Sequence, residues 1–245
     1  PAGIWPYFTG TYADFLYLPP RHPLFRVPDE LSDDILGPVN CAMGTVTTGL
    51  MRAGLKEGQY VVIQGAGGLG LHATAMAKDM GADRVIVLDR LENRLQLAEE
   101  FGADHTINIE EFNTEETRVQ RVKELTDGRG ADVVMELVGR AELMAEGIDM
   151  LGNGGTFVEI GDIVRGREVS IDPSKLLAGK NIVGSLMYRP ELLPTLLSFL
   201  VRTQHKLPFE KMISHKFPLE QVNEAFPQAE WSQRQTQVTR AVLVP

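Results

Sequence analysis

Cysteine is almost absent from this chain: Cys41 is the only one in 245 residues. A lone thiol excludes an internal disulfide framework and fits a reducing compartment. Long apolar runs are missing too, so no segment reads as a membrane span. The opening Pro1-Ala2-Gly3-Ile4-Trp5-Pro6 lacks the basic stretch followed by an apolar one that marks a signal peptide. Positive charge is in deficit, with 24 Lys and Arg against 33 Asp and Glu, a net charge of -9. Neutralising phosphates needs clustered Lys and Arg, and their absence argues against a nucleic-acid binder. The expectation is a cytoplasmic protein with no nucleic-acid and no membrane partner. The chain opens on Pro1 rather than Met, so a longer gene product is expected.

What is present is a regular alternation. Tyr60–Gln64, Arg84–Asp89, His105–Asn108, Asp132–Leu137, Thr156–Ile160 and Asn181–Leu186 read as six short strands. Between them, Leu69–Met80, Glu92–Phe101, Glu115–Thr126 and Ala141–Met150 read as helices, the first two closed by Gly81 and Gly102. Strands that are apolar throughout, rather than alternating, are expected where helices cover both faces of a parallel sheet. The pattern predicts an α/β fold with a doubly wound, parallel, six-stranded Rossmann sheet. The two ends differ. Gly10–Leu18 reads as a strand, Pro194–Thr203 and Leu219–Ala229 as helices, and Arg240–Val244 as a last strand. Together the ends read as parts of a second domain into which the α/β unit is inserted.

The clearest chemistry lies at Gly65-Ala66-Gly67-Gly68-Leu69-Gly70. With 24 glycines in the chain, a G-x-G-x-x-G pattern needs its context. Here it follows a strand and opens a helix, so Gly65, Gly67 and Gly70 can give the tight turn, the approach of pyrophosphate to backbone, and close helix–strand packing. The helix N-terminus, with Gly68 and Leu69 in its first turn, offers unpaired N–H groups to phosphates. Asp89 ends the second strand, nineteen residues after Gly70. A carboxylate there accepts hydrogen bonds from ribose hydroxyls and repels a 2′-phosphate, which favours NAD. Arg90, the next residue, is able to meet that phosphate and keeps NADP open. Val138, past the fourth strand, and Ile160, Gly161 and Asp162, at the end of the fifth, stand at the carboxyl edge where a nicotinamide would lie, or Gly161 is simply a turn glycine.

These motifs, with Asn40-Cys41-Ala42-Met43-Gly44-Thr45, Gly102-Ala103-Asp104, Gly152-Asn153-Gly154-Gly155, Ile213–Glu220 and Asn223-Glu224-Ala225-Phe226, occur in one order over nearly the whole chain. In that order the chain resembles the zinc-dependent, medium-chain alcohol dehydrogenases, the zinc-binding dehydrogenase family. The resemblance implies residues 1–36 as the tail of a GroES-like β-rich catalytic domain, 37–187 as the coenzyme domain, and 188–245 as a segment returning to the catalytic domain. It implies Cys41 as one of three protein ligands to a catalytic zinc, where the residues alone allow a small buried hydrophobe. It implies Thr45 beside the nicotinamide, Arg94 near the adenosine ribose, backbone around Gly161 on the carboxamide, and Arg240 on the pyrophosphate. Asp162 departs from the apolar residue that many members carry.

The other zinc ligands of the family and its four-cysteine structural lobe have no counterpart in this sequence. None of the five histidines has ligand spacing with Cys41; His215 falls in a segment read as packing. The expected function is hydride transfer between a secondary or polyol-like alcohol and NAD by a zinc enzyme, with this chain mainly its coenzyme-binding part. Two alternatives stay open: a zinc-free quinone or enoyl reductase of the same superfamily, and a non-catalytic NAD-binding module. The resemblance also implies a homodimer or homotetramer paired through the strand Asn181–Leu186, whose apolar edge would otherwise invite aggregation.

Overall fold

A computed structural model of the chain describes residues 12–161, 166–229 and 241–244. It divides into two compact units, one running from Pro38 to Leu192 and the other built from the described parts on either side.

The central unit holds a six-stranded sheet of β1 (Tyr60–Gln64), β2 (Arg84–Asp89), β3 (His105–Asn108), β4 (Ala131–Glu136), β5 (Leu151–Glu159) and β6 (Asn181–Gly184). Every pairing is parallel and the order is β3-β2-β1-β4-β5-β6. The chain leaves β1 twice in opposite directions, so a crevice opens at the carboxyl ends between β1 and β4, where such sheets bind ligands. Helices α1 (Gly44–Ala53), α2 (Gly68–Asp79) and α3 (Glu92–Glu100) pack side by side on one face. On the other lie α4 (Glu115–Leu125) and α5 (Leu143–Met150), against Val62, Ile86, Ile107, Val134 and Phe157. Covering both faces is what lets β1 be buried at every position, and each such aliphatic side chain contributes about 1.5–3 kcal/mol by leaving water. Thr114 starts α4 with a reciprocal cap: its hydroxyl accepts from the Thr117 N–H, and the Thr117 hydroxyl accepts from the Thr114 N–H, both at 3.3 Å.

The doubly wound reading therefore holds. One strand is longer than its sequence shows. β5 was expected from Thr156 and begins at Leu151, because Ala131 pairs with Leu151 and the register then jumps to Val133–Thr156. The run Gly152–Gly155 lies at this jump, where the ladder is irregular. Its glycines let backbone pass backbone: a Cβ at Gly152 would lie 2.5 Å from the Arg129 carbonyl oxygen. β6 is shorter and stops at Gly184.

In the second unit, α6 (Leu193–Thr203) buries Leu196, Leu197, Phe199 and Leu200, and Phe199 meets Phe209 edge-on at 6.2 Å. The segment around His215, read as packing, is strand β7 (His215–Pro218), paired in parallel with β8 (Ala241–Val244). The helix expected from Leu219 starts as a single 3-10 turn and becomes α7 at Val222. Residues 12–18 do not form the expected strand. Among the described residues they have no ladder partner, and Phe15 is 90% exposed; an apolar, β-branched or aromatic stretch becomes a strand only where a neighbour takes its hydrogen bonds.

Candidate active site

The glycine loop joins β1 to α2 at the crevice. Gly65 has φ +102°, open to glycine at little cost, and its N–H donates to the Leu88 carbonyl at 2.7 Å. Gly67 caps α2, and Gly68 and Leu69 begin it. At Gly70 a Cβ would stand 1.9 Å from the Gly65 carbonyl oxygen, so only glycine lets the helix sit this close to the loop. The outcome is a helix that opens directly after β1 at the carboxyl edge, and the first N–H groups of such a helix have no intrahelical partner and suit an anion.

Asp89 ties this loop to β2. Its Oδ2 accepts from the Ala66 N–H at 2.8 Å and its Oδ1 from the Leu91 N–H at 3.0 Å. Arg94, on the first turn of α3, places a guanidinium nitrogen 3.9 Å from the same carboxylate. Asp89 and Arg94 are thus brought together, while Arg90 is exposed.

Sequence reasoning missed Glu136. It closes β4 and is fully buried. Its Oε1 accepts from the N–H groups of Val138 and Gly139, both at 2.8 Å, and of Arg140 at 3.4 Å. Oε2 lies against Gly161, where a Cβ would come within 2.3 Å of it. Glu136 therefore shapes the loop after β4 and requires a glycine at the end of β5. Its signal was available: an ionisable residue ending the otherwise apolar run Val133-Val134-Met135. Val138 is half exposed on this loop, with its Cγ2 where a Cβ of Gly65 would fall. Ile160 is buried, packed against Gly49 of α1. Asp162 and Arg240 lie outside the described residues.

Cys41 stands exposed on a π-helical turn, Val39–Met43, that runs into α1 and packs against α2. Thr45 is buried one turn on. From the end of β6 the chain runs along α1, from its last turn to its start. Arg52 donates to the Gly184 carbonyl, Ser185 Oγ donates to the Thr45 carbonyl at 3.3 Å, and the Tyr188 ring lies on Gly44. Burial pushes the Tyr188 phenol up, and the nearby Cys41 adds to the shift. A catalytic zinc takes three protein ligands and keeps one position open. Among the described residues no three His, Cys, Asp or Glu come together in a way that could hold a metal, so Cys41 alone does not fit a zinc centre.

Comparison with known proteins agrees with this geometry. Residues 68–202 match the sequence profile of the zinc-binding dehydrogenases. The chain is 32% identical to 5-exo-hydroxycamphor dehydrogenase of Pseudomonas putida over 218 residues, 88% of this chain and 60% of that protein. It is 29% identical to L-threonine 3-dehydrogenase of Shewanella pealeana, over 89% of this chain and 61% of that protein. It therefore spans about three fifths of the length of these relatives. An alcohol dehydrogenase of Thermotoga maritima superposes over 100% of this chain and 66% of its own, with a TM-score of 0.90 and 29% identity. With the glycine loop, the strand order and the profile in agreement, the chain belongs to the zinc-binding dehydrogenase family.

Proposed function

We propose that this chain is the coenzyme-binding part of an NAD-dependent alcohol dehydrogenase that interconverts a secondary or polyol-like alcohol with its carbonyl compound. The observation that carries this reading is the Asp89 carboxylate, anchored on the glycine loop at the end of β2. The N–H groups opening α2 would hold the pyrophosphate. Asp89 would accept the ribose hydroxyls on its remaining lone pairs and repel a 2′-phosphate. Gly161, Val138 and Thr45 would border the nicotinamide. A coenzyme held there would supply the acceptor for a hydride from the alcohol carbon. Cys41 would serve as one zinc ligand, and a zinc enzyme needs two more from outside the described residues. A hydroxycamphor dehydrogenase and a threonine 3-dehydrogenase among the relatives support an alcohol as substrate. The outer edge of β6, where Ile182 is 41% exposed, supports pairing with a second copy of the chain. No helix among the described residues is long and apolar enough to cross a membrane, and the reading is of a cytoplasmic enzyme.

Titration with NADH and with NADPH, followed by the coenzyme's fluorescence, tests the reading. NADH should bind tighter, with a margin of roughly tenfold or more for one repelled charge, and Asp89→Asn should shrink that margin. Equal or tighter binding of NADPH would overturn the NAD assignment, and binding of neither would overturn the coenzyme site.

A further inference from the structure

From the end of β6 the chain is fastened along α1 at three points: the Gly184 carbonyl to Arg52 in its last turn, Ser185 to the Thr45 carbonyl in its first, and Tyr188 on Gly44. The third leaves no room for a side chain. A Cβ built on Gly44 would meet Cδ1, Cγ and Cε1 of the Tyr188 ring at 2.7, 2.8 and 2.9 Å. Real Cβ atoms do not approach carbon so closely, so the ring occupies the space a side chain at position 44 would take. Gly44 stands three residues past Cys41 and directly before Thr45. The intervening Leu186 and Met187 point to solvent, 67% and 71% exposed, while Tyr188 is half-buried. The aromatic ring is thus the part of this segment laid on Gly44, three residues past the thiol in the chain.

We propose that Tyr188 is a specificity-determining residue, a wall whose ring sets the largest group that can approach Cys41. This rests on the reading of Cys41 and Thr45 as part of the reaction centre. It predicts an upper size limit on the substituents of the alcohol carbon, relaxed when the ring is removed and kept when only its hydroxyl is removed.

Cys41 is the only thiol in the chain, so its alkylation reads the wall without coenzyme, zinc or turnover. The quantity to measure is the ratio of rates for a bulky aryl maleimide and for iodoacetamide, after metal chelation. A change in thiol acidity alters both rates and cancels in the ratio. Tyr188→Ala should raise the ratio about tenfold, the scale on which a pocket discriminates by size. Tyr188→Phe should leave it unchanged, and Gly44→Ala, which displaces the ring, should move it as Tyr188→Ala does. An unchanged ratio in Tyr188→Ala would overturn the wall, whatever the protein's activity. In the full-length protein, Tyr188→Ala should then raise kcat/KM for branched or cyclic alcohols relative to slim ones. A raised alkylation ratio with an unaltered alcohol preference would overturn the role in specificity and leave only a screen over the thiol.

Discussion

Tyr60 opens β1 with two guanidinium groups over its ring, Arg84 at 5.0 Å and Arg129 at 4.6 Å from the centroid; four residues later the same strand runs out into a loop of glycines. The amino edge of the sheet is held by side chains. The Tyr60 hydroxyl donates to Asp127, Arg84 donates to Asp127 and to the Leu125 carbonyl, and the N–H groups of Tyr60 and Val85 donate to Asp132 and Asp104. At the carboxyl edge the carboxylates of Asp89 and Glu136 accept from loop N–H groups. Glycines stand where any Cβ would collide. Side chains that pair with one another leave little for a ligand to do. Loops shaped from beneath by buried carboxylates keep their upper backbone for something else. The comparison explains why one edge of a uniform sheet is structural and the other is the candidate site.

The sharpest way to break this contrast is Gly70→Ala. The added methyl would lie 1.9 Å from the Gly65 carbonyl oxygen, and α2 must withdraw from the loop to relieve it. Denaturant unfolding should show a loss of about 3 kcal/mol, the upper range for overpacking, and NADH titration should show no binding. An alanine tolerated there with coenzyme affinity intact would mean that the close approach is not what the loop requires.

A smaller effect is expected at Glu136. Glu136→Leu keeps the bulk but strands the N–H groups of Val138 and Gly139. An orphaned buried donor costs about 1–3 kcal/mol, and the loop they belong to borders the proposed nicotinamide position. Stability should fall by about 2 kcal/mol and NADH affinity should fall with it. Glu136→Gln, which retains an acceptor oxygen, should lie between the two. Stability lost with NADH affinity unchanged would make Glu136 a fold residue only.

The carboxyl edge was the more legible half. Apolar strands, helix closures at Gly81 and Gly102, and the glycine loop each follow from local chemistry, and the sheet assembled as those residues imply. Asp89 was legible because its distance from the loop is fixed by one helix and one strand. Glu136 was not sought, since its partners are backbone groups that carry no residue identity. The early start of β5 was not legible, since glycines carry no strand signal and those of Gly152–Gly155 serve to let backbone pass backbone. The Tyr188–Gly44 contact was beyond local reading: it joins positions 144 residues apart, and only the crossing of the chain after β6 brings them together.

The amino edge yields the smallest predicted effect. The Tyr60 hydroxyl, and after it the Arg84 guanidinium, hold the Asp127 carboxyl below its ordinary range. A carboxylate whose pKa is depressed on folding contributes stability that is complete above its unfolded value, near pH 4, and is lost as pH falls through the folded value. Wild-type protein should therefore lose stability through this acid range in part because of Asp127, whereas Asp127→Asn lacks that contribution. The difference in Tm between the two should be present at pH 7 and narrow as the pH drops below 4. It should be modest, because the group faces solvent and its ion pair is screened. NADH affinity at pH 7 should not move at all. A change in coenzyme binding from Asp127→Asn would show that the two edges are coupled through the strands, and the separation between a structural edge and a binding edge would fail.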